Sequence, residues 1–192
     1  MASLRTHLLR TAAAATLVLG APLASAADYE IDATHSFVEF RIQHLGYSWL
    51  YGRFNTLRGE FSHDPATPEA SRISVEIDTA SIDSNHAERD KHLRSDDFLN
   101  VDKFPKATFV ATGYSGTAQE GTMTGELTLH GVTKAITLEV RKLGEGDDPW
   151  GGYRSGFVAT TVLDRRDFGI DRNLGPASWT MELELGIEGI RK

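Results

Sequence analysis

Histidines are the residues of this chain best suited to metal binding or proton transfer. Six of them follow the first 26 residues: His35, His44, His63, His86, His92 and His130. A metal site needs ligand atoms within about 2 Å of one ion, and the chain has no H-E-x-x-H motif. His86 and His92 are six residues apart, so a helix would place them on different sides. We therefore interpret the histidines as solvated or structural and expect no metal site.

Serine, carboxylate and glycine patterns do not predict catalysis either. The chain lacks the G-x-S-x-G elbow that often carries a nucleophilic serine. Adjacent acids occur at Asp96-Asp97 and Asp147-Asp148, in sequences typical of turns with solvated carboxylates. The pair Gly151-Gly152 is not followed by a helical pattern, which argues against a phosphate loop. The residues alone give no support for an enzyme.

Composition excludes further classes. The 192 residues include 20 Lys and Arg against 27 Asp and Glu, a net charge of -7, without a basic run. Because affinity for nucleic acid comes from neutralising phosphates, no nucleic-acid partner is expected. The absence of cysteine excludes disulfides, thiolate nucleophiles and an acyl anchor on cysteine. With 40% hydrophobic residues, the chain has a globular composition.

The first 26 residues have the pattern of a secretory signal peptide. Arg5 and Arg10 form a positive start, residues 12–19 are apolar, and Ala24-Ser25-Ala26 is a small-x-small cleavage site. The apolar stretch is shorter than the roughly 20 residues that span a bilayer. We therefore predict cleavage after Ala26, export of the mature protein, and a single domain over residues 27–192.

Apolar and polar residues alternate through most of the remaining chain, most clearly in MELELGI at 181–187. A period of two places apolar side chains on one face of a β-strand. Eight strands are predicted, at residues 36–43, 53–62, 72–79, 108–114, 121–130, 134–142, 154–163 and 180–190. Short links that contain glycine, such as Gly131-Val132-Thr133, predict antiparallel hairpins. Both a β-sandwich and an up-and-down barrel fit this pattern.

Residues 85–94 break the alternation and predict a short polar helix between strands three and four. Asn85 is the predicted N-cap, with Glu88 at the third helical position. The helix has few apolar residues of its own, so neighbouring ones must dock it, and it could then cover one end of a barrel. The expected docking residues are Leu93, Phe98 and Leu99.

Residues 44–52 contain three aromatic residues and two leucines around two glycines, between two predicted strands. One interpretation is a hydrophobic plug that closes the core. The other is an amphipathic lip that includes Trp49, where an apolar ligand enters. The residues leave both interpretations open.

Four stretches of the chain are distinctive when they are taken together: IQHLGYSW at 42–49, NHAERDKHLRS at 85–95 with DFL at 97–99, LHGVT at 129–133 and DFGI at 167–170. Together they resemble the YceI family of exported polyisoprenoid-binding proteins. A further stretch, GDDPWGG at 146–152, resembles enterobacterial members of the family. These stretches occur in order over essentially the whole predicted mature chain, so the resemblance covers the domain and not one motif.

The resemblance implies an eight-stranded antiparallel, lipocalin-like barrel that carries an extended lipid in its lumen. Its implied ligands are isoprenoid quinones, prenyl phosphates or other long-chain amphiphiles. It also implies a periplasmic location, commonly a homodimer, and exchange of lipid with a donor or acceptor protein in a membrane. The family has no established catalytic constellation, so no catalytic residue and no cofactor besides the lipid is expected. An enzyme acting on such a lipid and a stress-induced binder of fatty amides are the alternatives.

The predicted lining of the lumen and its mouth consists of Val38, Phe40, Ile42, Trp49, Val75, Leu127, Leu129, Leu138, Leu183 and Leu185. This lining suits an isoprenoid tail, since each buried methylene contributes about 0.8 kcal/mol, but a close-packed core would show the same pattern. His92 and Arg94, beside Lys91, are the clustered cations that could meet an anionic head group, or they form a solvated helix face. Because the chain is acidic overall, a neutral quinone is favoured over a prenyl phosphate.

Overall fold

Eleven strands and one α-helix form from residues 26–192, the part of the chain that the computed structural model describes. The strands are β1 Ala27–Ile31, β2 Phe37–His44, β3 Ser48–Phe54, β4 Leu57–His63, β5 Arg72–Asp78, β6 Ile82–Asp83, β7 Lys106–Gly116, β8 Glu120–Leu129, β9 Val132–Asp147, β10 Tyr153–Asp164 and β11 Thr180–Arg191. Helix α1 spans Ala87–Arg94. None of the helices in this part of the chain has the length and apolarity to cross a membrane. The predicted signal peptide lies outside the described residues, except for Ala26.

All strands belong to one antiparallel sheet, which closes on itself because β1 pairs with both β4 and β11. β11 pairs with β2 along its first half and with β1 near its end. Likewise, β3 pairs with β2 and β4 pairs with β1. β1 with β2, β3 with β4, and β5 with β6 therefore act as three interrupted strands, because β5 pairs with β4 and β6 pairs with β3. The result is a closed eight-stranded antiparallel barrel, as predicted, and the sandwich alternative is wrong.

The sequence predicts neither β1 nor β6, and the predicted strand at 53–62 joins the last two residues of β3 to β4. Residues 44–52, interpreted above as a plug or a lip, instead form the tip of the β2–β3 hairpin and most of β3. The turn has Leu45 at φ 54 and Gly46 at φ 80, and the backbone N–H of Tyr47 donates to the carbonyl of His44 over 2.9 Å. Positive φ at both central residues is typical of a type I′ turn, whose twist matches that of the strands. Trp49 and Tyr51 therefore occupy strand positions, while Tyr47 lies in the turn.

Helix α1 begins one residue later than predicted. Its N-cap is His86, whose Nδ1 accepts a hydrogen bond from the backbone N–H of Arg89 over 3.3 Å. Asn85 is not the cap, because it has left-handed backbone with φ 61 and its N–H donates to the Asp83 carboxylate over 2.8 Å. The docking of the helix is as predicted, through residues that are buried in the core or pack against it: Leu93, Phe98 and Leu99.

The two ends of the barrel differ in how they are filled. The end that carries α1, here called the closed end, also holds the β2–β3 and β8–β9 turns and residues 165–179. Buried side chains pack it: Leu57, Ile82, Phe98, Leu99, Leu129, Leu163, Phe168 and Ile170. The other end, here called the open end, is formed by the β4–β5, β7–β8 and β9–β10 connections. Helix α1 thus lies at one end of the barrel, as predicted.

Candidate ligand-binding cavity

A cavity of about 120 Å³ occupies the lumen from the middle of the barrel to the open end. Its walls are mostly apolar: Val38, Phe61, Ile73, Val75, Ile77, Phe109, Met123, Leu127, Ile136, Leu138, Val140, Phe157, Ala159, Leu183, Leu185 and Ile187. One water molecule needs roughly 10–15 Å³ of such volume, so the cavity has room for about ten ligand atoms. Side chains therefore leave free space between the middle of the barrel and the open end.

Six of the residues predicted to line the lumen do line this cavity: Val38, Val75, Leu127, Leu138, Leu183 and Leu185. Phe40, Ile42 and Leu129 do not, which corrects their predicted position. They lie nearer the closed end, where the Phe40 ring covers Gly52 so closely that an added Cβ would be 2.3 Å from Cζ. A period of two predicts which side chains face the lumen, but it does not predict where along the barrel axis the packed side chains leave a cavity.

Trp49 does not flank the opening of the cavity, and this corrects the predicted lip. It lies on β3 opposite Gln43, in the hairpin at the closed end. Its side chain is 39% exposed, and the guanidinium carbon of Arg41 lies 4.5 Å from its ring centroid. Leu50, the next residue, pairs with Ile42 on the face that packs inward. Because successive residues alternate, Trp49 points outward.

The cations predicted to meet a head group instead hold the closed end together. Arg94 donates to the carbonyl oxygens of Ala80 and Ile82, both over 2.7 Å. His92 Nε2 lies 2.8 Å from a carboxylate oxygen of Asp97. Neither residue lines the cavity. The predicted head-group contacts are therefore corrected to contacts that fix helix α1 and the segment after it.

The polar part of the cavity lies at the open end, where its lining includes Ser62, His63, Ser71, Arg72, Gln119 and Lys142. The Lys142 side chain is only 4% exposed, and its Nζ lies 2.8 Å from Glu145 Oε2. Leu138, Val140 and Lys142 are alternate residues of β9 that all face the lumen, so the strand places a positive charge there. Arg72 is exposed at the rim. A buried lysine with its acid partner thus ends an otherwise apolar cavity.

His63 lies against the same aromatic ring as Lys142. The ring centroids of His63 and Phe157 are 5.3 Å apart, and Lys142 Nζ is 5.9 Å from the Phe157 centroid. His63 Nδ1 is 3.3 Å from Ser71 Oγ, while Nε2 is buried without a hydrogen-bond partner among the described residues. Burial lowers the pKa of His63, and the positive charge of Lys142 lowers it further. The imidazole is therefore neutral at neutral pH.

Reasoning from the sequence missed both of these residues. His63 shares the inward face of β4 with Leu57 and Phe61, and Lys142 continues the inward series of β9. The signal was the period itself, which continues past the last apolar residue of each strand. A polar residue at an inward-facing position near the end of a strand could therefore have indicated a polar site in the lumen.

Asp32, His35 and Glu188 place three potential metal-ligand atoms within 4.8 Å of one another. Arg154 donates to the carboxylates of Asp32 and Glu188, and also to Asp148. Its hydrogen bond holds the pKa of Asp32 well below the usual range. Because a guanidinium already occupies this cluster, we interpret it as an ion-pair network that joins β10, β11 and the segment after β1.

Comparisons with known proteins agree with this fold. A YceI-like domain model matches residues 29–189. A UPF0312 protein of Ectopseudomonas mendocina is 58% identical over 188 residues, which cover 94% of this chain and 98% of the relative. Protein YceI of Shigella flexneri is 52% identical over 180 residues, which cover 93% and 94%. A polyisoprenoid binding domain from Saccharophagus degradans shares the fold, with a TM-score of 0.64 and 20% identity over 88% of this chain and 100% of that domain.

Proposed function

Because this chain belongs to the YceI-like family, we propose that it carries an isoprenoid lipid with the hydrocarbon chain in the barrel lumen. The observation that supports the proposal is an apolar cavity with polar residues at its open end. Each methylene group moved from water into such a cavity contributes about 0.8 kcal/mol. The Saccharophagus degradans neighbour is a polyisoprenoid binding domain.

The cavity volume sets how much of the tail is held without rearrangement. Room for about ten ligand atoms corresponds to roughly two five-carbon isoprene units. A longer chain has to extend through the open end or displace lining side chains. Met123 lines the cavity, and its unbranched side chain adapts readily to a new shape. The proposed mode therefore has the tail inside the barrel and the head group at the open end.

We further propose that the protein acts in the periplasm after its signal peptide is removed. β1 begins at Ala27, the first residue after the proposed cleavage site, and Ala27 pairs with His63. Cleavage after Ala26 would thus leave every strand of the barrel intact. Homodimer formation and exchange with a membrane protein stay predictions that rest on the family resemblance.

The relatives point to a binding protein rather than an enzyme. Ser71 Oγ contacts His63 Nδ1 in the cavity, but no described residue orients the ring through Nε2. A hydrolytic site needs a base that is itself oriented by a third group. We therefore propose no catalytic step.

Lipid analysis of protein purified from the periplasm tests this function. We expect native mass spectrometry to show one bound molecule and chromatography of the extract to identify an isoprenoid. Ile136→Trp adds bulk to the cavity wall and should abolish co-purification. Trp49→Ala, at the closed end, should retain the lipid. The proposal is wrong if the wild type carries no isoprenoid or if both variants lose lipid equally.

A further inference from the structure

Two polar side chains lie next to one aromatic ring at the open end of the cavity. His63 and Lys142 both line the cavity. The His63 ring packs edge-on against the Phe157 ring, and the Lys142 ammonium lies 5.9 Å from the centroid of that ring. The residues are 7% and 8% exposed, as low as the apolar core. The barrel, and not bulk solvent, is therefore the environment of these two groups.

Both groups have hydrogen-bonding capacity that the described residues leave unused. His63 Nε2 is buried and has no hydrogen-bond partner within residues 26–192. Lys142 Nζ has three donors, and it forms an ion pair with Glu145 Oε2 at 2.8 Å. Buried polar groups in folded proteins are almost always paired. In the tautomer whose Nδ1 accepts a hydrogen bond from the Ser71 hydroxyl, His63 Nε2 is a donor like Lys142 Nζ. We infer that the ligand supplies the missing acceptor.

We propose that His63 and Lys142 bind the head group of the isoprenoid, and that this head group is an uncharged hydrogen-bond acceptor such as a quinone carbonyl. The tail then runs past Phe157 toward Leu127 and Val38 in the middle of the barrel. This assignment rests on the proposed lipid-binding function. It adds which end of the lipid is recognised, and by which residues.

The charges around the subsite favour a neutral head group over a diphosphate. Glu145 balances the charge of Lys142. Burial lowers the pKa of His63, so the ring adds no charge at neutral pH. Arg72 is the remaining charged lining residue, and it is exposed at the rim. A diphosphate, which carries more than one negative charge, would lose its hydration here with only the exposed Arg72 left to balance it.

Three ligands with the same ten-carbon isoprenoid skeleton separate head-group recognition from tail binding. They are ubiquinone-2, geranyl diphosphate and 2,6-dimethyloctane, which has no head group. Each is titrated into delipidated protein at pH 7.5 by calorimetry. We expect ubiquinone-2 to bind about tenfold more tightly than the hydrocarbon, because it gains hydrogen bonds to a charged donor, and more tightly than the diphosphate.

Substitutions at the two polar residues then test the assignment. Lys142→Met and His63→Leu should each weaken ubiquinone-2 binding about tenfold and leave dimethyloctane affinity within about twofold. Lys134→Met changes an exposed lysine on the same strand and should alter neither affinity. Thermal unfolding of each variant identifies any loss of fold.

NMR spectroscopy of the wild-type protein tests the proposed head-group contact without any substitution. In wild-type protein labelled with ¹⁵N-histidine, ubiquinone-2 should shift the Nε2 resonance of His63 and dimethyloctane should not. The subsite is wrong if both ligands shift it equally, if the variants lose affinity for both ligands by the same factor, or if geranyl diphosphate binds most tightly. If neither ubiquinone-2 nor dimethyloctane binds, the proposed lipid-binding function itself is wrong.

Discussion

Lys142 and His63 show that single residues in this lumen are not chosen for stability alone. A buried ion pair is often no more stable than apolar side chains of similar volume, because desolvation offsets its attraction. A Met would continue the apolar wall after Leu138 and Val140, yet the chain has a lysine there. The polar end of the cavity is therefore consistent with the head-group binding proposed above.

Leu127 tests at single-residue level whether the lumen has free space. Leu127→Phe should leave the free energy of unfolding of delipidated protein within about 1 kcal/mol of wild type, because the added ring atoms enter the cavity, and it should displace the lipid. Ile170→Phe is the matched control, since Ile170 is 5% exposed in the packed closed end. Overpacking there should cost about 1–3 kcal/mol. Chemical denaturation measures both, and equal losses would show that the lumen is close-packed.

His63 should make stability depend on pH in a defined direction. Its pKa in the folded barrel lies below the ordinary value of 6.5, mainly because the ring is buried. Between these two pKa values the unfolded chain binds more protons than the folded one, so stability falls as the pH drops below about 6.5 and is regained above it.

Denaturation at pH 7.5 and pH 5.5 measures this effect. The loss of stability at the lower pH should be smaller in His63→Gln, which cannot titrate. His44→Gln is the control, because His44 is exposed at the end of β2, and it should behave as wild type. An unchanged pH dependence in His63→Gln would contradict the prediction.

At the level of elements, helix α1 is held by polar contacts as much as by apolar ones. Asp90 is 7% exposed, and its carboxylate accepts from the backbone N–H of Ser84 over 2.8 Å and from the Ser84 hydroxyl. Arg94 reaches two carbonyl groups of the preceding segment. These contacts explain how a strongly polar helix keeps a fixed place on the barrel.

Arg94→Met should therefore destabilise the protein without affecting the ligand. Two carbonyl groups lose a charged donor, which predicts a loss of about 1–2 kcal/mol in the free energy of unfolding. Lys91→Met, on the exposed part of the same helix, should stay within about 0.5 kcal/mol of wild type. Ubiquinone-2 affinity should be unchanged in both variants, since the helix lies at the closed end. If Arg94→Met alone lost affinity for ubiquinone-2, Arg94 would be shown to contact the head group after all.

At the level of the whole molecule, closure of the barrel brings distant parts of the chain together around Arg154. Its guanidinium binds Asp32 after β1, Asp148 in the β9–β10 connection and Glu188 on β11. The hydrogen bond from Arg154 is the main cause of the lowered pKa of Asp32. The backbone N–H of Gly152 is the main cause of the lowered pKa of Asp148, and Arg154 adds to it.

Arg154→Met should lower stability at neutral pH, because three carboxylates would then repel one another. In the wild type, carboxylates with lowered pKa contribute stability above their unfolded pKa near 3.8, and this contribution is lost as the pH falls through the folded values. The variant should therefore unfold with less dependence on pH below 4. Acid titrations followed by circular dichroism measure this, with the exposed Arg53→Met as control. Parallel acid unfolding curves would contradict the assigned role.

Export is also a property of the whole chain. We expect the intact mass of periplasmic protein to correspond to a first residue at Ala27, because the proposed cleavage site precedes β1 directly. Retention of Met1 in the periplasmic fraction would contradict this prediction.

Much of the barrel was predictable because its strands carry a local signal. In β11, alternation over residues 181–187 is enough to identify a strand and its two faces. The interrupted strands were not predictable in the same way. β1 is only five residues long, and β3 contains Trp49-Leu50-Tyr51, where apolar residues occupy both faces and hide the period.

The sequence by itself determined which side chains turn inward, because alternation depends only on neighbours along a strand. Only the tertiary structure decided where the lumen stays empty. Phe98 and Phe168 come from segments far apart in the chain, and they fill the same end of the barrel. Trp49 and Arg94 consequently belong to the packed end, while His63 and Lys142 meet at the other. The cavity is the space that remains after all strands, turns and the helix have packed together, so it cannot be predicted from the residue pattern of any one segment.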